Sequence, residues 1–240
     1  MRKKVIITDL SRMKGDRVCI FGIDENGRAI RPDITYSGIR EGYLFNEDGQ
    51  LIIKPFAEIE FDFISPLPLK PPHTEDWGIN TSYKPRLIRD LTEDEKKEFL
   101  EGMLYRSIKE IFCAVIHNNQ YIDEGEGKRS LGTIKVKEVL YVKYSMKEEG
   151  KYEYRIKFLD MSGGVYDLPI TDCAFRNYCD EQRIQNQISP GFIGAKLQRR
   201  FDLIIIFFRI GLARPFERMH NRCYLQVSGI HTFPDYTKEL

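Results

Sequence analysis

Apolar and acidic side chains alternate from residue 57 to residue 63 in the segment 57–64, and this pattern limits what this part of the chain can form. The alternating residues are Ile59, Phe61 and Phe63 on one side and Glu58, Glu60 and Asp62 on the other. A period of two residues is that of a β-strand with one buried and one solvated face. The acidic set is therefore interpreted as a solvated strand face, and no metal site is predicted.

Short strands separated by turns recur along the chain. Residues 17–24 are rich in β-forming side chains, and Asn26-Gly27, a strong hairpin signal, follows them. Many short strands with frequent glycine and proline turns favour β-barrels over a parallel α/β sheet. The predicted fold class is therefore mainly β (α+β), with two barrel-like halves. A polar loop at 118–129 predicts the boundary between them, which gives halves of residues 1–117 and 118–240.

Two helices are predicted to pack on these strands. Apolar residues recur at helical spacing from residue 93 to residue 115, and Thr92 with Glu95 has the sequence pattern of a capping box. This spacing predicts one long helix over 93–115, packed under the first half. A second, short helix is predicted over 175–188, with Thr171 or Asp172 as its N-cap.

The composition is that of a globular chain without an export signal. Of its 240 residues, 42% are hydrophobic and 30% are charged, which suffices for a buried core. The most apolar run, residues 203–208, is far too short to span a bilayer, and the N-terminus lacks the apolar region of a signal peptide. Five scattered cysteines are expected to be reduced thiols in the cytoplasm. The chain has no P-loop and no dinucleotide-binding glycine motif, so no cofactor is predicted.

Basic side chains are concentrated near the C-terminus. Residues 190–222 hold seven basic and two acidic residues, although the whole chain has a net charge of only +1. The basic residues are Lys196, Arg199, Arg200, Arg209, Arg214, Arg218 and Arg222. Two strand-forming segments, 201–209 and 223–233, lie in or beside this block. On the first segment Arg209 lies on the same face as Phe207, and this face is interpreted as a core face. The predicted phosphate contacts here are Arg199, Arg200, Arg214 and Arg218.

Two arginines of the first hairpin form another candidate anion site. Arg17 begins the hairpin and Arg31 ends it, so the two side chains could hold a phosphate or carboxylate between them. The alternative is that acids inside the barrel neutralise this pair. The acids in question are Asp24, Asp33 and Asp9.

The loop before residue 130 is a third candidate. Lys128 and Arg129 follow two glycines and precede Ser130. The surroundings lack the glycine pattern of a nucleophilic serine. The loop is therefore interpreted as an anion-binding loop, with Lys128 and Arg129 as its cations.

His73 and Asp76 lie close together in sequence beside Trp77, the single tryptophan. A functional interpretation makes them an acid–base or metal pair in a pocket beside the Trp77 ring. A structural interpretation has Asp76 accept backbone N–H bonds in a turn, with His73 packed after the prolines at 71 and 72. Both interpretations stay open at this stage.

Several segments taken together resemble one family. The segments are Arg17-Val-Cys-Ile-Phe-Gly-Ile-Asp24 with Ile30-Arg-Pro32, Pro72-His-Thr-Glu-Asp-Trp77, Lys128-Arg-Ser-Leu-Gly132, Tyr166-Asp-Leu-Pro-Ile-Thr-Asp172 and Cys223-Tyr-Leu-Gln-Val-Ser-Gly-Ile230. In order and spacing they resemble the prokaryotic dual-OB-containing domain family, and the resemblance covers almost the whole chain. It implies two tandem OB-like barrels and a nucleic-acid or nucleotide ligand. OB folds bind single strands with a basic groove and exposed aromatic rings on which bases stack.

Three functions are consistent with this sequence. The leading hypothesis is a non-enzymatic protein that binds single-stranded or structured nucleic acid, or a nucleotide, as an accessory subunit of a prokaryotic nucleic-acid-processing or defence system. The second is a hydrolase or nuclease that uses His73 and Asp76 with Arg31. The third is a protein–protein adaptor, which would have no reason to gather seven basic residues within residues 190–222.

Overall fold

Two seven-stranded β-sheets form the framework of the computed structural model, which describes residues 1–34, 39–68, 70–215 and 220–238. The first sheet contains β1 (Arg2–Arg12), β2 (Arg17–Asp24), β3 (Ala29–Asp33), β4 (Ile39–Arg40), β5 (Ala57–Pro66), β6 (Asp76–Ile79) and β7 (Arg86–Asp90). A short 3-10 helix, Glu41–Leu44, follows β4. The strand order β1-β2-β3-β6-β5 closes into a five-stranded barrel because β5 also pairs with β1.

The long first strand closes this barrel because it has two partners. Residues 2–6 of β1 pair with β5, and residues 5–12 pair with β2, with a shift of register between Ile7 and Asp9. A bulge of this kind bends a strand and increases its twist, as a small closed barrel requires. The predicted first hairpin is confirmed as β2 and β3. The alternation at 57–64 is confirmed as β5, whose apolar set is buried.

The second sheet curls into a half-barrel. Its strands are β8 (Leu104–Tyr105), β9 (Tyr121–Asp123), β10 (Leu131–Glu148), β11 (Lys151–Asp160), β12 (Val165–Pro169), β13 (Ile205–Leu212) and β14 (Arg222–Phe233). Their order is β12-β11-β10-β13-β14-β9, and β8 pairs with β10. A bridge between Ile170 and Val227 brings the chain after β12 towards β14. The protein is therefore mainly β, with a closed barrel followed by a curled half-barrel, which is consistent with two OB-like halves.

Two short elements differ from the predicted division of the chain, one in its sheet and the other in replacing part of a predicted loop. β8 belongs to the second sheet although it precedes residue 117, and β9 lies inside the stretch 118–129 that was predicted as a loop. β9 forms because its backbone pairs with the start of β14. The division between residues 117 and 118 itself stays a prediction.

The prediction of one long helix over 93–115 is wrong. The chain forms α1 (Glu93–Glu101), then β8, then α2 (Ile108–Phe112). The capping box is confirmed, because Thr92 and Glu95 each accept a hydrogen bond from the backbone N–H of the other. Gly102 ends α1, and the side chain of Ser107 caps α2. Between them the backbone of β8 pairs with β10 instead of continuing the helix.

The two helices also pack in different places. Ile108, Ile111 and Phe112 of α2 are fully buried in the core of the second sheet. Leu100 of α1 instead joins a small cluster that contains residues of both sheets. Its buried members are Phe56, Leu91, Leu100 and Phe207. α1 therefore bridges the two halves and does not lie under the first half alone, as the sequence predicts.

Two further helices, α3 (Cys173–Ile184) and α4 (Pro190–Phe201), accompany the second sheet. Asp172 caps α3 with its carboxylate, as predicted. α4 is not predicted from the sequence; it ends at Phe201, the first residue of the predicted strand 201–209, and the strand β13 begins only at Ile205. α4 begins at Pro190, and proline suits the first turn of a helix. Gly194 lets α4 lie close to β10, because a Cβ at this position would be 2.7 Å from the oxygen of Val142. Within the described residues, no helix combines the length and the apolar character needed to cross a bilayer.

Candidate functional site

β1 of the first barrel lies against β14 of the second sheet, and we call the contact region between the two halves the seam. His231 Nε2 lies 2.8 Å from Thr8 O, and Arg12 N donates to Thr171 O at 2.7 Å. The His231 ring packs edge-on against Phe56, with 4.6 Å between ring centroids. Burial lowers the pKa of His231 to about 4, so this imidazole is neutral at neutral pH.

A buried arginine of β13 is bonded across the seam. Arg209 Nε donates to Asp9 Oδ1 at 3.0 Å, and Arg209 Nη1 donates to Thr133 Oγ1 at 2.5 Å. Burial lowers the pKa of Arg209, and the charge of Asp9 opposes that shift. The prediction that Arg209 lies on a core face is confirmed, since the residue is 2% exposed. Its charge is balanced by Asp9.

Arg31 is buried as well and links β3 to the second sheet. Arg31 Nη1 lies 3.3 Å from Asp76 Oδ1, at the position where β3 and β6 pair. Arg31 Nη2 donates to Ser130 Oγ at 2.6 Å. Ser130 in turn donates its backbone N–H and its hydroxyl to Glu75, at 2.6 and 3.0 Å. The ion-pair partner of Arg31 is therefore Asp76, which is not one of the predicted acids Asp24, Asp33 and Asp9.

Asp76 holds a second arginine. Arg214 Nη2 contacts Asp76 Oδ2 and lies 3.3 Å from Asp33 Oδ2. The Asp76 side chain is fully buried, whereas that of Arg214 is 25% exposed, so Arg214 reaches this cluster from the surface. Asp76 is thus held between two guanidinium groups. This corrects the structural interpretation, in which backbone N–H groups of a turn were its donors.

His73 lies near this cluster but makes a separate bond. Its Nε2 is 3.1 Å from the oxygen of Leu212, so Nε2 carries the proton and donates it. Burial lowers the pKa of His73 to about 3, and the positive charge of Arg31 acts in the same direction. The imidazole is therefore neutral at neutral pH and is bound to the second sheet.

A cleft of about 480 Å³ opens at one end of the seam, and we call it the Arg17 cleft. The cations that line it are Arg12, Lys14, Arg17, Arg31 and Arg214. The acid among its described lining residues is Asp9, which is bonded to Arg209. Much of the remaining wall is apolar and comes from Leu131 and residues 211–213. The fold thus brings together three of the predicted anion-binding residues, namely Arg17, Arg31 and Arg214.

A second cleft, of about 620 Å³, lies further along the seam, and we call it the Lys128 cleft. The cations that line it are Arg28, Lys128, Arg129 and Arg209. The guanidinium of Arg129 lies over the ring of Tyr105, 5.0 Å from its centroid. The predicted pair Lys128 and Arg129 is therefore placed together, but in a cleft other than that of Arg17.

One face of β2 runs past both clefts. Arg17 and Cys19 line the first cleft, and Phe21 and Ile23 line the second. Alternate residues of a strand point to the same side, so this face is directed at the second sheet along its whole length. Between the clefts the buried Phe21 ring is covered by two guanidinium groups, which belong to Arg31 at 5.6 Å and Arg209 at 5.3 Å.

Arg199 and Arg200 lie away from both clefts, in the last turn of α4. Arg199 is exposed beside a small cavity that Tyr141 also lines. Arg200 Nη2 donates to Asp235 O at 3.2 Å. The structure does not bring these two to the other predicted residues, and Arg218 lies outside the described residues.

Arg12 and Lys14 line the Arg17 cleft but are not among the residues predicted from the sequence. They lie at the end of β1 and in the turn that leads to β2. A signal for them is present in the sequence, because Arg12, Lys14 and Arg17 surround one turn. The prediction follows the segment 190–222 instead, because that segment contains more basic residues than this turn.

A closed barrel joined along a charged seam to a curled half-barrel defines a tandem OB-fold protein. The family model described as the dual OB-containing domain matches residues 3–230, nearly the whole chain. The protein belongs to this family, and the resemblance stated from the sequence is confirmed. No curated protein matches the chain.

Proposed function

We propose that the protein binds single-stranded nucleic acid and that one nucleotide of the strand enters the Arg17 cleft. The observation that carries this proposal is the combination of five lining cations with a largely apolar interior. Single-strand binding proteins combine a positively charged path for the backbone with apolar or aromatic surfaces for the bases. A volume of about 480 Å³ lies in the range of small-ligand pockets and suits a nucleotide unit.

Four of the five cations fall into two groups with different tasks in this proposal. Arg31 and Arg214 are fixed by Asp76, so they form a preorganised wall whose charge is already balanced. Lys14 and Arg17 are exposed at the rim and are the proposed phosphate contacts. Fixed guanidinium groups cost little entropy on binding, and exposed cations release counterions when they meet a phosphate.

The hydrolase alternative has weaker support. A general acid or base works best with a pKa near the operating pH. His73 has a pKa of about 3 and donates to Leu212 O, and Asp76 is held by two arginines.

The role of an accessory subunit in a prokaryotic nucleic-acid-processing or defence system stays part of this proposal, as does a cytoplasmic location.

The proposal is tested by fluorescence anisotropy with a labelled single-stranded oligonucleotide, as DNA and as RNA, beside a duplex. We expect Lys14→Glu with Arg17→Glu to weaken single-strand binding by about tenfold or more, because charge-assisted contacts contribute about 1.5–3 kcal/mol each. The matched control is Lys151→Glu, a charge reversal on the β10–β11 hairpin, where the lysine side chain is 73% exposed.

A second charge reversal separates the two surfaces that the sequence suggests. Arg199→Glu changes the exposed end of α4 and should leave affinity within about twofold of the unmodified protein. If Arg199→Glu weakens binding and the Lys14 and Arg17 changes do not, the strand binds to α4 and not to the seam. If no oligonucleotide binds, the adaptor hypothesis gains instead.

A further inference from the structure

The Lys128 cleft has the features of a second ligand site, and we infer that it binds a nucleoside polyphosphate independently of the Arg17 cleft. Arg28 comes from the turn between β2 and β3, whereas Lys128 and Arg129 come from the loop before β10. Arg209, which also lines the cleft, is balanced by Asp9. Three cations from two separate segments therefore converge on one cavity, which suits a ligand with several negative charges.

The acid in the wall of this cleft is already fully engaged. Glu75 accepts hydrogen bonds from Ser130 N, Ser130 Oγ and Thr74 N, at 2.6, 3.0 and 3.0 Å. The Ser130 hydroxyl also accepts a hydrogen bond from Arg31, so Ser130 links the Glu75 carboxylate to a guanidinium group. Glu75 thus fixes the wall, and within the described part of the chain no ion pair joins it to Arg28, Lys128 or Arg129.

The backbone that carries Lys128 is held in place. Lys128 N donates to Phe112 O at 3.0 Å, and the hydroxyl of Thr74 donates to Lys128 O at 3.4 Å. Gly127 has a φ of 83°, and a Cβ at this position would lie 2.9 Å from Phe112 O. Only glycine fits this close, left-handed turn, so the loop presents its cations from a rigid backbone.

The same cavity offers a surface for a base. The Arg129 guanidinium lies over the Tyr105 ring, and arginine planes and aromatic rings are the groups on which bases stack. Leu104 beside it is 37% exposed, and Met103 also lines the cavity. Stacking groups next to converging cations are the chemistry that recognises a base with a chain of phosphates.

Buried side chains separate this cleft from the Arg17 cleft. Phe21 is 1% exposed, and the two guanidinium groups that cover it belong to the buried residues Arg31 and Arg209. Along β2, the pair of residues that lines one cleft and the pair that lines the other are four positions apart, or about 13 Å at the rise of a strand. One small ligand therefore cannot fill both clefts through the interior, and the two should be filled by separate molecules.

The test uses the full chain with ATP as the probe, measured by calorimetry, and the labelled oligonucleotide in parallel. We expect Arg28→Glu with Lys128→Glu to weaken ATP binding by about tenfold or more and to leave oligonucleotide binding within about twofold. Lys14→Glu with Arg17→Glu should do the reverse. Thermal melting of each variant checks that it is folded, and Lys151→Glu is the common control.

The outcomes distinguish this inference from the proposed function. If ATP binds nowhere while the oligonucleotide binds, the inference is overturned and the proposed function stands. If the oligonucleotide fails to bind while ATP requires Arg28 and Lys128, the inference stands alone. If ATP displaces the oligonucleotide one for one, or if both pairs of substitutions weaken both ligands, the clefts form one site and the inference is wrong.

Discussion

Replacing Asp76 by alanine should lower the free energy of unfolding by about 3–5 kcal/mol, because it removes one partner of a buried ion pair. The Asp76 side chain is fully buried between Arg31 and Arg214. The Arg31 side chain is 6% exposed and also bonded to Ser130, so it cannot turn to water. Arg214 is partly exposed and keeps Asp33 as a partner. Most of the cost therefore comes from one guanidinium left buried without an acid beside it.

The assay is urea unfolding followed by tryptophan fluorescence. Trp77 is the single tryptophan and the next residue after Asp76, so its emission reports on this part of the barrel. In a chain of this size each kcal/mol corresponds to about 2–4 °C in the melting temperature. A loss of about 3–5 kcal/mol should thus lower the melting temperature by about 6–20 °C, which a thermal scan resolves.

A charge-free variant separates the cost of an unpaired charge from the cost of lost packing. In Arg31→Met with Asp76→Leu, both charges of the pair are replaced by apolar groups, and such replacements are often close to neutral. We expect this double variant to be clearly more stable than Asp76→Ala alone. A loss below about 1 kcal/mol for Asp76→Ala would refute the reasoning. Unchanged stability with loss of a measured activity would favour the hydrolase hypothesis.

Two further predictions concern packing and pH. Gly194→Ala should lower the free energy of unfolding by about 1–3 kcal/mol, because the new Cβ would lie 2.7 Å from the oxygen of Val142. Gly191→Ala should raise it by up to about 1 kcal/mol, because nothing lies within 4 Å of a Cβ at this position and alanine favours the helix α4. Urea unfolding of both variants checks this pair. His73 and His231 have pKa values of about 3 and about 4 in the folded protein, so between pH 6.5 and 4 they take up protons only on unfolding. Stability should therefore fall as the pH falls through this window, by up to about 1.4 kcal/mol per pH unit for each group, and His73→Gln should flatten the dependence.

The elements that the sequence predicts correctly are those set by local signals. The hairpin of β2 and β3 follows from its turn residues, and β5 follows from its alternation. The capping residues Thr92 and Asp172 are also local signals, and both cap helices. The long helix over 93–115 fails because its apolar spacing continues through residues 104–105, and only the pairing with β10 makes these residues a strand.

The contacts that build the seam have no local signal. Arg209 and Asp9 are 200 positions apart, and Arg31 and Ser130 are 99 positions apart. Each of these residues carries a charge or a hydroxyl that would be equally ordinary on a solvated surface. Which arginine becomes buried depends on how the two halves meet, and a single sequence does not contain that information in readable form. The sequence therefore predicts the two clefts only as separate pairs of basic residues.

The seam also sets how strongly binding should depend on salt. Of the five cations that line the Arg17 cleft, Arg31 is buried, and Arg12 and Arg214 are half-buried. The exposed rim cations are Lys14 and Arg17. Two phosphate contacts on a single strand correspond to a slope of log K against log[salt] of about −1.4, whereas five would give about −3.5. A measured slope near −3.5 would mean that the buried arginines leave their acids when the strand binds. A slope near −1.4 agrees with a chain whose net charge is only +1, in which most arginines of the seam hold the two halves together.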